Sequence, residues 1–122
     1  MKYKETVWVN NDIPLVDFEN VAIFKDKYPA IEGHLLFVPK ESTNECIAEA
    51  YKKALDWADV KMKTEGIEGV NIGQNIGVAA GQSVMWPHIH FIPRRHGDSP
   101  SNEANGIRLS HPKGTHLYKI SS

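Results

Sequence analysis

A chain of 122 residues with 41% hydrophobic side chains suits one domain with a core of its own. Its formal net charge of -1 argues against broad electrostatic binding to nucleic acid or to an anionic membrane. No run of roughly 18 apolar residues exists and no apolar leader-like stretch follows Met1, so neither a membrane span nor a secretory signal is expected. The single cysteine, Cys46, has no second thiol for an internal disulfide or a thiolate metal cluster, which points to a reducing, cytoplasmic setting. With no repeat, low-complexity tract or linker-like shift in composition, residues 1–122 are expected to form a single domain.

In chain order, "ETVWVN" (5–10) reads as a short strand, followed by a turn at Asn11, Asp12 and Pro14. "NVAIFKD" (20–26) alternates and is partly β-branched, and "HLLFVPK" (34–40) is an apolar run ended by Pro39. Both read as strands, with "KYPAIEG" as the loop between them. Ser42 with Glu45 three residues on has the capping-box pattern. Ile47, Tyr51, Leu55, Ala58 and Met62 then keep helical spacing, so a helix is predicted over 43–65, stopping near Gly66. On it, Trp57 and Met62 are expected in the core or on a dimer surface, and the charged residues on a solvated face.

"GVNIGQN" (69–75) reads as a strand that opens into the loop "IGVAAGQ", and a last strand is predicted from about Ser83 to Arg94. Beyond Gly97, extended loop is expected around one short apolar piece, "GIRLS", with His96, His111 and His116 solvated. The predicted order β-β-β-α-β-β suggests an α+β domain, an antiparallel sheet with one main helix packed on it.

The chemistry concentrates in "AAGQSVMWPHIHFIPRRHGD" (79–98). Alternation along a strand places Val84, Trp86, His88, His90 and Ile92 on one face, with Met85, Ile89 and Phe91 turned into the core. Two imidazoles about 7 Å apart on one face can act on one substrate atom, or one can act while the other orients. The small residues Gly77, Ala79, Ala80 and Gly81 allow backbone amides to approach a ligand. With the Gln82 amide and the Ser83 hydroxyl they can hold an anionic oxygen. One of Arg94 and Arg95 can add phosphate affinity. By itself, His-x-His is also a common pair of surface histidines. It is a zinc-ligand spacing too, if His34, His96 or a carboxylate supplies a third ligand.

"GQSVMWPHIHFIPRRHGD" resembles the histidine-triad (HIT) family of nucleotide hydrolases and transferases, whose signature is G-Q-S-V-x-H-x-H-x-H followed by apolar residues and often P-R. Gly81, Gln82, Ser83 and Val84 match in register, and His88 and His90 fall on the second and third triad positions. Upstream, "IFKDKYPAIEGHLLFVPK" is similar to the family's other block, and "NIGVAAGQ" matches its spacing from an amide residue to the glutamine. The tail "GDSPSNEANGIRLSHPKGTHLY" is similar, more loosely, to bacterial members resembling dinucleoside polyphosphate hydrolases.

The resemblance implies the HIT-like fold and a reaction at the α-phosphate of a nucleotide, with a dinucleoside polyphosphate or a nucleoside phosphoramidate as substrate class. His88 falls on the nucleophile that forms a nucleotidyl-histidine intermediate. His90 falls on the histidine that contacts phosphate, and His34 on an active-site histidine of the preceding block. Asp26 falls where the family holds the ribose. Asn75, Gln82 and Ser83 fall on positions that contact phosphate or leaving group, with Gly81 and Arg94 beside them on the substrate side. A homodimer paired through the helix and a strand is implied, with no nucleic-acid or membrane partner. No cofactor is required, although magnesium can arrive with a polyphosphate.

The departure is Trp86, which replaces the first triad histidine. An indole offers one donor and no acceptor, so it cannot shuttle a proton. If the main-chain carbonyl of Trp86 still takes the Nδ1 proton of His88, Nε2 stays free to attack. The alternative is a nucleotide-binding protein whose degenerate triad has lost turnover. Trp86 is expected to border the substrate pocket, so Trp86→His is expected to keep the fold and raise turnover. A nucleoside monophosphate is expected between the loop 75–83 and the strand 21–26.

Overall fold

A computed structural model describes residues 1–98. The piece "GIRLS", His111, His116 and the tail resemblance lie outside the described residues.

The N-terminal segment departs from the expected strand. Tyr3–Glu5 forms one turn of 3-10 helix and Val7–Asn11 forms a short helix, α1. Glu5 accepts from the Lys2 amide, while Asn10 and Asn11 donate to the carbonyls of Thr6 and Val7, four residues back. Trp8 is 6% exposed whereas Val7 is 47% exposed. A single helical turn thus inserts the indole, with Val9 packed beside it and Val7 outside, and tertiary burial overrides the β-propensity of Thr6, Val7 and Val9.

The five strands are β1 (Val16–Asp17), β2 (Val21–Lys25), β3 (Leu35–Pro39), β4 (Gly69–Gly73) and β5 (Ile89–Arg94). They form one antiparallel sheet in the order β1-β2-β3-β5-β4. The predicted β-β-β-α-β-β order therefore holds, but its first strand is the two-residue β1. The main helix, α2, spans Asn44–Thr64 between β3 and β4. Its N-cap is Thr43, one residue after the expected Ser42, and the Thr43 hydroxyl accepts from the Cys46 amide at 3.2 Å.

The buried stripe of α2 also differs from the predicted one. Cys46, Ala50, Ala54 and Ala58 face inward at intervals of four, whereas Leu55 and Met62 are exposed. Small side chains let the helix lie close on the sheet, while Ile47, Tyr51 and Trp57 pack along its flanks. Under α2 sit Val21, Ile23, Leu35, Phe37, Ile89 and Phe91.

By alternation, the other face of the sheet carries Ala22, Phe24, Leu36 and Val38, which pack with Trp8 and Trp86. The sheet is thus buried on both faces, which explains the unbroken apolar runs in β2 and β3. The last strand begins at Ile89 rather than near Ser83. Pro87 has no amide hydrogen to donate to a ladder, and residues 84–86 bend so that Trp86 turns into the second cluster. As a result Met85, expected in the core, is 50% exposed, while Ile89 and Phe91 are buried as expected.

Candidate active site

The pairing of β2 with β3 places Lys25 opposite Leu35, and the Asp26 amide donates to the His34 carbonyl just beyond. The pairing of β3 with β5 places His90 opposite Leu36, on the sheet face away from α2. His88 stands just ahead of β5. Three strand ends thus bring Asp26, His34, His90 and His88 into one connected group.

His88 is 6% exposed, and its Nδ1 lies 2.8 Å from the Trp86 carbonyl. A carbonyl only accepts, so Nδ1 carries the proton and Nε2 keeps a free lone pair. Burial pushes the His88 pKa below the ordinary imidazole value. The bond to Trp86 and the charge of Asp26 oppose that shift without cancelling it. The ring is flanked by the Trp8 indole, with centroids 4.9 Å apart, and by the His90 imidazole at 5.1 Å.

His34 is wired from behind. The Ala30 amide donates to its Nδ1 at 3.0 Å, which assigns the proton of the neutral ring to Nε2. That Nε2 lies 2.9 Å from Nδ1 of His90 and 3.2 Å from Oδ2 of Asp26. With Nδ1 of His90 accepting, the proton of a neutral His90 sits on Nε2. Asp26 is fixed in turn, since its Oδ1 accepts from the Tyr28 amide at 2.8 Å.

Asp26, His34 and His90 offer three ligand atoms within 4.8 Å of one another. Their separations of 2.9, 3.2 and 4.0 Å bracket the edge of about 3.3 Å expected around a tetrahedral zinc. The proton pattern does not fit. A metal on Nε2 of His34 requires a proton on Nδ1, which a metal-bound histidine normally donates. Here Nδ1 faces a backbone N–H and must accept. His96, another ligand considered for zinc, pairs with Glu68 and is 88% exposed.

The structure places the remaining sequence-predicted residues elsewhere. The indole of Trp86 is 6% exposed in the second cluster, and its Nε1 donates to the Pro39 carbonyl at 2.8 Å. Its main chain, rather than its ring, meets His88. Gln82 braces its own loop, for its Oε1 accepts from the Gly77 amide and its Nε2 donates to the Val84 carbonyl. The amides of Ala80, Gly81 and Gln82 also bond within this loop. Four of the amides there, counting Gly77, are therefore engaged internally, contrary to the expected open anion cradle.

Gly77 and Gly81 hold φ of +90° and +93°, which side chains rarely adopt. A Cβ on Gly81 would lie 3.9 Å from Nδ2 of Asn75, so the two ends of the loop meet, and Ser83 is exposed beside them. Arg94 points to Asp98, with contacts of 2.7 and 2.9 Å, and reaches Asn71 at 3.3 Å. That pair holds the Asp98 carboxyl below its usual range. Arg95 is exposed.

Trp8, Tyr28 and Ala30 escaped the sequence analysis. The last two act through backbone amides, which leave no mark in a residue pattern. Trp8 carried a signal as the large aromatic of the N-terminal segment, but the strand reading gave it no direction. A separate cleft of about 410 Å³, lined by Leu35, Trp57 and Phe91, lies on the helix side of the sheet, away from His88.

An antiparallel sheet packed under one helix, with a histidine cluster on the far face, defines the HIT-type α+β fold. The HIT domain model matches residues 9–97, and the chain belongs to the HIT family. An uncharacterised HIT-like protein of Methanocaldococcus jannaschii is 35% identical over 74% of this chain and 77% of its own length. The adenosine 5'-monophosphoramidase of Schizosaccharomyces pombe is 33% identical over 85% of this chain and 78% of its own. Among solved structures, a zinc-bound histidine triad family protein from Mycobacterium smegmatis aligns with a TM-score of 0.70. It shares 27% identity, covering 97% of this chain and 99% of that one.

Proposed function

We propose that the protein is a nucleotide hydrolase or nucleotidyl transferase that reacts at the α-phosphate through a nucleotidyl group on His88. The observation that carries this reading is the bond from His88 Nδ1 to the Trp86 carbonyl. It keeps Nε2 unprotonated, and the lowered pKa keeps the ring neutral near pH 7. The Nε2 lone pair attacks the α-phosphorus, and the bond to the leaving group breaks with its electron pair going to that group, which takes a proton. Water then attacks the phosphorus, the P–N bond breaks, its electrons return to Nε2, and the proton of the water passes to solvent.

His90 Nε2–H is the donor suited to the developing phosphoryl charge, and His34 holds it in that tautomer. Asp26 offsets positive charge building on the histidines and stands at the ribose position of the resemblance. Asn75 and Ser83 stand on the substrate side, and Gly81, Gln82 and Arg94 contribute to substrate binding only after their internal bonds rearrange. The similarity to an adenosine 5'-monophosphoramidase supports nucleoside phosphoramidates as the first substrates to assay, with dinucleoside polyphosphates next. The chemistry needs no resident metal, and magnesium enters only with a polyphosphate. A homodimer that covers exposed Leu55 and Met62 of α2 belongs to the same proposal.

The test is rapid denaturation during turnover, with mass analysis of the peptide spanning 81–94. A nucleotide adduct on His88, lost in His88→Ala while AMP binding persists, is the expected result. His90→Ala should retain weak activity. Full activity in His88→Ala overturns the mechanism. Binding without any adduct or turnover in the unmodified protein would support the alternative, a nucleotide-binding protein with a degenerate triad, which Trp86 favours.

A further inference from the structure

We propose that Trp8 is a positioning residue for His88, with its indole holding the imidazole in place and stabilising the positive charge that the ring acquires when it carries the nucleotidyl group. The inference rests on His88 being the nucleophile.

The contact joins two parts of the chain that are 80 residues apart. Helix α1 delivers the indole to 4.9 Å from the His88 ring, at an interplanar angle of 58°. On another side the His90 ring lies at 5.1 Å and 64°. The bond from Nδ1 to the Trp86 carbonyl sets the azimuth of the ring. Held by Trp8, His90 and that carbonyl, the imidazole has little freedom to turn Nε2 away from a phosphorus atom. Orientation of this kind lowers a barrier without any new bond.

The charge argument is separate. A neutral imidazole that forms a bond from Nε2 to phosphorus while keeping Nδ1–H becomes an imidazolium with a full positive charge. His88 and Trp8 are each 6% exposed, so little water is available to solvate that charge. Among the described residues, the ionisable groups around His88 are Asp26, His34 and His90, of which only Asp26 is acidic, and α1 contributes no titratable side chain. An indole is the strongest aromatic partner for a cation within about 6 Å of its centroid, and desolvation strengthens the attraction. When the P–N bond is hydrolysed the charge is lost, so the stabilisation acts on the intermediate and on the transition states that flank it.

A packing role alone predicts something different. Trp8 also touches Phe24, with centroids 6.5 Å apart, and belongs to the cluster of Ala22, Leu36, Val38 and Trp86. If Trp8 only excluded water, removing it would hydrate His88 and raise its pKa. If the π face stabilises the imidazolium, removing it lowers that pKa.

The experiment uses the full chain with Trp8→Leu, Trp8→Phe and 5-fluorotryptophan introduced at position 8, which keeps the shape and weakens the π face. His88 is titrated by nitrogen-15 NMR without substrate. Trp8→Leu and the fluorinated protein should titrate lower than the unmodified protein, by about 0.5 unit. Trp8→Phe should fall between. In single turnover, adduct formation should slow about tenfold in Trp8→Leu and less in Trp8→Phe, with AMP affinity unchanged. An unchanged or raised His88 pKa in the fluorinated protein, which keeps the shape of the indole, overturns the proposal. Absence of an adduct in the unmodified protein defeats the nucleotidyl-histidine reading instead, and the titration still decides the Trp8 contact.

Discussion

Trp86→His restores the histidine of the family pattern, and sequence alone expects it to keep the fold and quicken turnover. The burial of the indole reverses both expectations. Trp86 is 6% exposed among Trp8, Phe24, Leu36 and Val38. Truncating a buried tryptophan to alanine costs about 3–5 kcal/mol, and an imidazole refills part of that space, which leaves about 2 kcal/mol of lost packing. The indole N–H also satisfies the Pro39 carbonyl at the end of β3. Leaving that buried acceptor unpaired adds about 1–2 kcal/mol. The sum, about 3–4 kcal/mol, is a large share of the ~5–15 kcal/mol that stabilises a domain of this size. A fall in Tm of more than about 10 °C should follow.

Thermal and urea unfolding of Trp86→His, with Trp86→Phe as the control that keeps bulk and loses the donor, measures the loss. Trp86→Phe should cost about 1–2 kcal/mol. Turnover per folded molecule should not rise, because the Trp86 carbonyl, which any residue supplies, already orients His88. An unchanged Tm, or a folded variant that turns over faster, would refute the burial argument.

The remaining expectations concern pH, the main helix and assembly. The folded pKa of His88 lies below the ordinary imidazole value of about 6.5, so unfolding takes up a proton as pH falls. Stability from neutral His88 is complete above that value and is lost as pH drops through it toward the folded pKa, with a slope of up to ~1.4 kcal/mol per pH unit. Urea unfolding of His88→Ala between pH 8 and pH 5 should be flatter than that of the unmodified protein; parallel curves would contradict the buried neutral ring. Thr43→Ala should cost about 1 kcal/mol in the same assay, whereas Ser42→Ala should cost little, because Thr43 is the N-cap. Light scattering at micromolar concentration should give a dimer mass, reduced to the monomer by a charge at Leu55 or Met62; a monomer in the unmodified protein refutes the assembly.

The elements that were legible in the sequence have a local cause. The apolar runs of 20–26 and 34–40 become β2 and β3, and the helical spacing that follows Ser42 becomes α2. Its inward stripe keeps Ala58 but otherwise departs from the expected spacing, because alanines, weak hydrophobic markers, lie against the sheet while Leu55 and Met62 face outward. Small residues win that position by allowing close approach, a property of the partner surface. The segment 5–10 departs from the expected strand for a similar reason, since its β-branched residues favour a strand until the second sheet face offers Trp8 a place to bury.

At the site, the resemblance singled out His88, His90, His34 and Asp26, and the fold gathers them into one cluster, in which Asp26, His34 and His90 are joined by polar contacts and His88 lies against the His90 ring. What each nitrogen does was beyond the sequence. The His34 tautomer depends on the Ala30 amide, the His88 tautomer on the Trp86 carbonyl, and the misfit to a metal follows from the first of these. Gln82 and Arg94 looked free because their partners, the Gly77 amide and Val84 carbonyl for one and Asp98 for the other, are set by loop and turn geometry.

By itself, then, the sequence determined the α+β class, the alternation that puts Phe91 and His90 on opposite faces, and the family motif, because each is written in residue types at short spacing. The tertiary structure alone decided which face of the sheet is chemical, that Trp8 flanks His88, and that Trp86 is a core residue whose backbone does the orienting. Those outcomes depend on contacts between segments distant in the chain, and on backbone groups that every residue carries alike.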